Sequence, residues 1–233
     1  MKSFTLAAVS ALCISSGATY AATLSDLVAG ATLTEGDVTF SGFEFSNEVP
    51  NPPFPDDFNA DASEIEVTTS STSTTTTLSF ALDPSPSISG ELTVFDFLID
   101  FDVAITGGSS RTLTDVTLGG GDLFASEDAF SDVNFADAVD EPSVLVNIFE
   151  DTLNGSQTSM TDDLDGVTSL NLLGRANGQT FTSTATAGLS TFSLTFDLAG
   201  TAPPPSPIPL PAGLPLLLAG LGGLALLRRR KTL

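Results

Sequence analysis

The chain of 233 residues contains no tryptophan, no histidine, one tyrosine and one cysteine. Histidine is the commonest general base and metal ligand, so its absence excludes serine–histidine–aspartate triads and histidine-bound zinc. A single cysteine cannot form an intrachain disulfide bond. Carbohydrate-binding modules usually stack sugars on tryptophan or tyrosine, whereas here nearly all aromatic residues are the 17 phenylalanines. The composition therefore argues against that mode of sugar binding and favours a protein that is not an enzyme.

Basic residues are also scarce, since seven lysines and arginines stand against 29 aspartates and glutamates. Five of the seven lie near the two ends of the chain, which leaves only Arg111 and Arg175 among the acidic residues. Such a chain repels nucleic acid and anionic lipid, so we expect no nucleic-acid partner. Its self-repulsion would be relieved by salt or by bound divalent cations.

The N-terminal segment 1–21 is typical of a secretory signal peptide. Lys2 gives the positive start, residues 4–14 form the apolar stretch, and residues 19–21 form a small-x-small cleavage site. The mature protein is predicted to begin near Ala22, and Cys13 is then lost with the peptide. These features predict export from the cytoplasm.

The C-terminal segment 208–233 has three parts in a fixed order. Residues 208–227 carry no charge, and at about 1.5 Å per helical residue their apolar part spans roughly 24–30 Å, enough for one transmembrane helix. The positive-inside rule keeps the basic end in the cytoplasm and the preceding domain outside. The motif that opens the segment is Ile208, Pro209, Leu210, Pro211 and Ala212, and the basic end is Arg228, Arg229, Arg230 and Lys231.

This order of proline motif, apolar helix and terminal basic cluster resembles the VPLPA-CTERM branch of the PEP-CTERM sorting signals, with Ile208 in place of the usual valine. The resemblance implies that an exosortase, an integral-membrane protease-like transpeptidase, recognises and cleaves the tail. It also implies a Gram-negative bacterium, with passage through the inner membrane to the cell surface or extracellular matrix. It covers about a tenth of the chain and says nothing of the preceding domain. On the residues alone, a permanent membrane anchor is the alternative.

Residues 22–200 show the alternation of apolar and polar residues that is typical of β-strands. In the clearest strand, 95–105, the apolar residues face one way and three aspartates face the other, and 191–198 repeats this pattern. We predict a single all-β domain, an antiparallel β-sandwich for which a jelly roll is one form, followed by a proline-rich spacer at 201–207. The three aspartates are Asp96, Asp100 and Asp102.

The other predicted elements are shorter. Residues 38–45 change phase about Gly42, which predicts a β-bulge. Residues 24–28 predict one helical turn, and residues 125–139 predict either a second helical turn or an acidic loop. Further predicted strands are 78–82, 112–118 and 144–149.

Two polar segments are candidate sites. Ten consecutive serines and threonines at 68–77 predict either a glycosylated segment or a polar edge strand. Residues 162–166, Asp-Asp-Leu-Asp-Gly, resemble a calcium loop because alternate oxygen ligands followed by glycine can wrap a hard cation. A solvated acidic turn is the competing interpretation, since Leu172 stands where an EF-hand needs glutamate. The candidate Ca²⁺ ligands are Asp163 and Asp165, and no other cofactor is predicted.

Together these features predict an exported, non-enzymatic surface or extracellular-matrix protein that an exosortase sorts and processes. The predicted partners are the exosortase, the membrane through the C-terminal helix, and extracellular polysaccharide. Two alternatives stay open, a permanently membrane-anchored surface domain and a calcium-dependent adhesin or polysaccharide-binding module. An acidic glycoside hydrolase also stays open, because 29 acidic residues permit many carboxylate pairs.

Overall fold

A computed structural model describes residues 20–48, 57–138 and 144–201. These ranges contain sixteen β-strands, the short helix α1 (Leu24–Val28) and a 3-10 turn at Ala62–Glu64. The strands are β1 (Tyr20–Thr23), β2 (Leu33–Glu35), β3 (Val38–Asn47), β4 (Ile65–Ser71), β5 (Thr75–Leu82), β6 (Ser87–Ser89), β7 (Val94–Ile105), β8 (Thr112–Gly120), β9 (Leu123–Ser126), β10 (Ala129–Asp137), β11 (Val144–Asp151), β12 (Gly155–Gln157), β13 (Ser159–Val167), β14 (Ser169–Thr180), β15 (Thr186–Leu189) and β16 (Thr191–Ala199).

The strands form two large antiparallel sheets and one small sheet, β6-β15-β9. The six-stranded sheet has the order β1-β4-β5-β16-β8-β13, and the seven-stranded sheet has the order β12-β11-β10-β14-β7-β3-β2. Four antiparallel pairs are nested along the chain and alternate between the large sheets: β5 with β16, β7 with β14, β8 with β13, and β10 with β11. This nesting is the jelly-roll arrangement, so the predicted antiparallel all-β fold is confirmed.

Phenylalanine rings fill the space between the two large sheets. Phe40 of β3 contacts Phe196 of β16 with ring centroids 5.9 Å apart, and Phe101 of β7 contacts Phe80 of β5 at 6.1 Å. All four side chains are fully buried, and each pair joins one sheet to the other. Tilted ring pairs of this kind stabilise a core beyond the area that they bury. The two large sheets are therefore the layers of a β-sandwich.

The longer predicted strands are confirmed because their alternation is a local property of the sequence. β7 and β16 contain residues 95–105 and 191–198, and both show alternate burial along most of their length. β5, β8 and β11 contain the shorter predictions 78–82, 112–118 and 144–149. In each of these strands the apolar side chains lie mainly on the core side of the sheet.

The predicted bulge and helical turn are also confirmed. Gly42 in β3 has φ +64°, and the register between β3 and β7 shifts between Ser41 and Glu44. A positive φ is the conformation that glycine adopts without strain. Residues 24–28 form α1, as their sequence indicated.

The interpretation of residues 125–139 as a helical turn or an acidic loop is wrong. Most of its described residues belong to the end of β9 and to β10. Ser131 is buried in β10 and weakens the hydrophobic pattern, yet its hydroxyl is satisfied because it donates to the carbonyl of Gly188 at 3.0 Å. The four inward residues of β10 are Ala129, Ser131, Val133 and Phe135.

In the full-length chain the hydroxyl-rich segment 68–77 is not an edge strand, and on the β1 side Thr68 and Thr69 pair with Ala21 and Tyr20 of the predicted signal peptide. It forms the end of β4, a turn and the start of β5, while β1 lies outside β4 and β16 lies beyond β5. Thr69 and Thr76 are buried, so their side chains are inaccessible to a modifying enzyme in the folded domain. Glycosylation of the exposed hydroxyls in this segment stays a prediction.

Arg111 ties two turns together beneath the surface. Its side chain is 6% exposed, and its Nη1 lies 3.4 Å from Oδ2 of Asp37 in the turn between β2 and β3. Its Nη2 donates to the carbonyl of Ser73 in the turn between β4 and β5. Because a buried charge needs a partner, Asp37 is required where it stands.

Several predictions concern the two ends of the chain, outside the residues that the structure describes. The sorting motif 208–212, the apolar segment after it and the basic end 228–231 lie outside the described residues, as do residues 1–19 of the predicted signal peptide. Tyr20 and Ala21, the last residues of that peptide, belong to β1 and pair with Thr69 and Thr68. Within the described ranges, no helix is long and apolar enough to cross a membrane.

Phe101→Ala should destabilise the domain by about 3–5 kcal/mol, because it opens a cavity where the rings of Phe40, Phe80 and Phe135 meet. Denaturant unfolding measures the loss. Leu153→Ala is the control: Leu153 is 82% exposed, so its truncation should change stability by no more than about 0.5 kcal/mol. Equal effects of the two substitutions would contradict a phenylalanine-centred core.

Candidate binding face

The outer surface of the six-stranded sheet carries a regular row of hydroxyl groups. Neighbouring hydroxyls in the row hydrogen-bond each other, Thr77 to Thr195 at 3.0 Å and Thr117 to Thr161 at 2.8 Å. The row is uncharged and satisfies part of its own hydrogen-bonding capacity, so it is the weaker candidate for a ligand site. Strand register aligns five residues in this hydroxyl row: Ser70, Thr77, Thr195, Thr117 and Thr161.

The outer surface of the six-stranded sheet also carries carboxylates, with Asp115 in register between Asp163 and Asp197. The outer surface of the seven-stranded sheet differs because it combines carboxylates with amides and one guanidinium. Successive side chains of a strand point to opposite faces, so the inward phenylalanines of β7 turn its three aspartates outward, as the sequence predicted. Strands β3, β10 and β14 add acidic and amide residues beside them. We call this surface the carboxylate face, and its residues are Glu44, Asp96, Asp100, Asp102, Asp132, Asn134, Asn171, Arg175 and Asn177.

Strand register brings distant residues side by side at the centre of the carboxylate face. Asp132 of β10 lies opposite Asn177 of β14, which lies opposite Asp96 of β7. Arg175 reaches Asp96 with two hydrogen bonds, from Nε to Oδ1 at 2.8 Å and from Nη2 to Oδ2. The bond to Asp96 raises the pKa of the Arg175 guanidinium. This two-point contact fixes a half-exposed guanidinium in one orientation.

Asp132 is a partly buried carboxyl in this central group. Burial raises its pKa above the usual range, because a charged carboxylate loses hydration there. A hydrogen bond from Nδ2 of Asn134 to its Oδ2, 3.0 Å long, partly opposes the shift, and so does the positive charge of Arg175. The carboxylate would therefore gain stability from any further hydrogen-bond donor.

Asp100 and Glu44 form a like-charged pair further along the same face. Strand register places Glu44 of β3 opposite Asp100 of β7. Burial raises the pKa of Asp100, the N–H of Gly174 opposes this shift with a 3.2 Å hydrogen bond, and Glu44 raises the pKa further by repulsion. Like charges at directly opposite positions destabilise a sheet.

A groove of about 610 Å³ opens beside Asp102, where Asn171 and Ser41 also line it. Nδ2 of Asn171 donates to Oδ1 of Asp102 at 2.7 Å. Gly42 makes room for this carboxylate, since a Cβ on Gly42 would come within 2.6 Å of Oδ2 of Asp102. The bulge in β3 thus shapes the groove as well as the strand.

Two phenylalanines border the opposite end of the carboxylate face. The ring centroids of Phe130 and Phe181 are 6.1 Å apart, and Phe181 is 46% exposed. Phe130 lies opposite Gln179, two residues along β14 from Asn177. The predicted mature chain has no tryptophan or tyrosine. This face nevertheless has an exposed aromatic surface, which Phe181 supplies.

The predicted calcium ligands lie apart from this face, in the edge strand β13 of the six-stranded sheet. Asp165 has φ +53°, and its N–H donates to Oδ1 of Asp163 at 2.8 Å, within a bulge between Asp163 and Val167. Among residues 20–48, 57–138 and 144–201, no three acidic, histidine or cysteine side chains form a group suited to a metal ion. Calcium binding by Asp163 and Asp165 stays a prediction.

Comparison with known proteins assigns no family. No protein-family model matches the chain, and no curated protein matches it. One solved structure with detectable similarity is a low-affinity xylan-binding module from the gut symbiont Roseburia intestinalis, at 10% identity and a TM-score of 0.21, covering 78% of this chain and 97% of the module. Values this low identify neither fold nor ligand.

No residue of the carboxylate face was predicted as a site residue, and its four central residues lie on β10 and β14. β14 carries a period-two pattern, with Leu170, Leu172, Gly174 and Ala176 buried and the alternate residues at least partly exposed. Gly174 and Gly178 interrupt that pattern in the sequence, because rings of the core occupy the space where their side chains would be. The four central residues are Asp132, Asn134, Arg175 and Asn177.

Asp132→Asn should raise the melting temperature at neutral pH, because it removes a carboxylate whose ionisation is disfavoured by burial. The pKa of Asp132 is higher in the folded state than in the unfolded state. Protonation of Asp132 therefore contributes fully to the free energy of unfolding below the usual carboxyl pKa, and this contribution is lost as the pH rises through the folded-state pKa. The gain should therefore shrink on acidification. Thermal unfolding from about pH 7 to about pH 3 measures it.

Asp197→Asn is the matched control for this pH experiment, since Asp197 lies on the outer side of the six-stranded sheet between Thr75 and Asp115. It reports the general relief of negative charge in an acidic protein. If Asp197→Asn raises the melting temperature as much as Asp132→Asn at every pH, burial of Asp132 is not the cause.

Proposed function

We propose that this domain is a non-enzymatic polysaccharide-binding module of the cell surface or extracellular matrix, and that the carboxylate face is its binding site. The observation that carries the proposal is the alignment of carboxylates, amides and one guanidinium across β10, β14, β7 and β3, with an exposed aromatic pair at one end. Ligand sites combine a few oriented polar groups with apolar surface in this way.

The polar groups of the face match the hydroxyl groups of a sugar chain, which both donate and accept hydrogen bonds. Asp100, Asp102 and Asp132 offer acceptor oxygens. Arg175 gives two of its five N–H groups to Asp96 and, being half-exposed, can direct others to a ligand. The exposed ring of Phe181 offers an apolar surface for the face of a sugar ring.

The dimensions of the face suit a polymer rather than a single sugar. From Gln179 to Asn171 the strand β14 advances eight residues, which is about 26 Å at roughly 3.3 Å per residue. The aromatic pair borders one end of this track, and the groove beside Asp102 opens at the other. A chain of several sugar units would therefore contact both.

The double variant Asn177→Ala/Phe181→Ala should weaken polysaccharide binding about tenfold or more, equivalent to about 1.4 kcal/mol, because it removes polar and aromatic contacts outside the core. Affinity electrophoresis in gels containing neutral, acidic or amino polysaccharides measures the change. Thr195→Ala, in the hydroxyl row of the opposite sheet, is the matched control and should bind normally. Equal loss of affinity in the double variant and in Thr195→Ala would contradict the proposed site, and so would unchanged affinity in the double variant.

Assays with the same polysaccharides distinguish a binding module from two alternatives that the sequence leaves open, a glycoside hydrolase and a calcium-dependent adhesin. A glycoside hydrolase with paired carboxylates would release new reducing ends, and we expect none. A calcium-dependent adhesin would lose binding on chelation, whereas the carboxylate face should bind equally with and without EDTA. If the unaltered protein releases reducing ends and the Asp132→Asn variant does not, the protein is an enzyme.

We further propose that the C-terminal segment delivers this domain to the cell exterior through an exosortase. The support is in the sequence, where the motif 208–212, an uncharged helix-length run and the basic residues 228–231 follow one another. Mass spectrometry of the extracellular protein should find a C-terminus near residues 208–212. Recovery of the intact basic end would instead favour a permanent membrane anchor.

A further inference from the structure

We infer that the carboxylate face prefers polysaccharides that carry protonated amino groups over neutral or acidic polysaccharides. The inference rests on the proposed polysaccharide binding and adds the chemical class of the ligand. It follows from the charge of the face, from a pocket between two like charges, and from the spacing of the carboxylates along one strand.

The protein supplies too few positive charges to neutralise this face. Arg175 is already bound to Asp96. Arg111, the other basic residue in the described ranges, is buried between two turns and bound to Asp37. A polyanion would be repelled by this surface and a polycation attracted to it. The carboxylates of the face are Glu44, Asp96, Asp100, Asp102 and Asp132.

The like-charged pair Glu44 and Asp100 marks where a cationic group would bind. Both residues line a small pocket of about 70 Å³, together with Ser46 and Leu98. The space accommodates a compact group such as a primary ammonium. Because the two carboxylates face each other across neighbouring strands, a positive charge in this pocket would relieve their repulsion.

An ammonium group suits the pocket better than a metal ion. It carries a compact charge and three N–H donors, which two carboxylates and a serine hydroxyl can accept. Calcium requires six or more oxygen ligands, and no group of three acidic residues suited to a metal occurs in the part of the chain that the structure describes.

The next carboxylate lies at a distance that suits a repeating ligand. Asp102 follows Asp100 on the same side of β7, about 7 Å further along the strand. It lies at the groove of about 610 Å³, which has room for a sugar residue. A polymer that follows the strand direction would bring a second amino group to Asp102, while its sugar rings extend toward the polar and aromatic groups of the face.

Isothermal titration calorimetry of the full domain compares three probes of equal length at about pH 5.5, where most carboxylates are ionised. They are a chitosan oligomer, its N-acetylated counterpart and an alginate oligomer. We expect the chitosan oligomer to bind about tenfold more tightly than the N-acetylated one, and this preference to fall as salt is added. Alginate should not bind.

Asp100→Asn/Asp102→Asn should abolish the preference for chitosan, because it removes the two carboxylates that would pair with ammonium groups, so the ratio of the affinities for the chitosan and N-acetylated oligomers should fall to about one. Asp197→Asn/Asp115→Asn, on the outer side of the six-stranded sheet, removes the same charge and should retain the preference. If both double variants lose the preference, its cause is the net negative charge of the protein and not the carboxylate face, and the inference is overturned.

The remaining outcomes separate this inference from the function on which it rests. Equal affinity for the chitosan and N-acetylated oligomers would overturn the amino-group preference and leave polysaccharide binding standing. No binding to any of a wide range of polysaccharides would overturn both. Polylysine that binds as tightly as chitosan would show attraction to any polycation, which also overturns the inference.

Discussion

The contact of phenylalanine rings between the two large sheets is the constraint on which the other features depend. No disulfide bond can cross-link the domain, so the sheets are held together by packing, with Phe101 touching rings from both layers. Because side chains alternate along a strand, turning the phenylalanines of β7 inward also turns its aspartates outward. The arrangement of the carboxylate face is therefore a consequence of how the core is filled.

The two large sheets have the same inner chemistry and different outer chemistry. One outer surface has a row of hydroxyls bonded to one another beside the carboxylates of Asp115 and Asp197, and the other combines acidic and amide groups with one guanidinium. Uncharged hydroxyl rows suit a surface that needs only to remain hydrated. Carboxylates held beside one another and partly buried carry unfavourable electrostatic energy. Such energy is tolerated at sites where a ligand can relieve it.

The two arginines of the described domain have separate uses in a strongly acidic chain. Arg111 is buried and joins two turns through Asp37 and the carbonyl of Ser73. Arg175 is half-exposed and is oriented by Asp96 within the carboxylate face. The first position concerns stability, since a buried guanidinium needs a partner of opposite charge, which Asp37 supplies. The second leaves donors at the surface, where they can meet a ligand.

Local sequence determined the strands at 95–105 and 191–198, the bulge at Gly42 and the outward position of the β7 aspartates, because each follows from alternation within one segment. Tertiary structure decided the rest. The strand β10 is obscured in the sequence because Ser131 is buried through a bond to distant Gly188. The row of Asp132, Asn177 and Asp96 exists only because three strands far apart in the chain pair in one register. Register depends on contacts between segments, and no single segment of the sequence contains it.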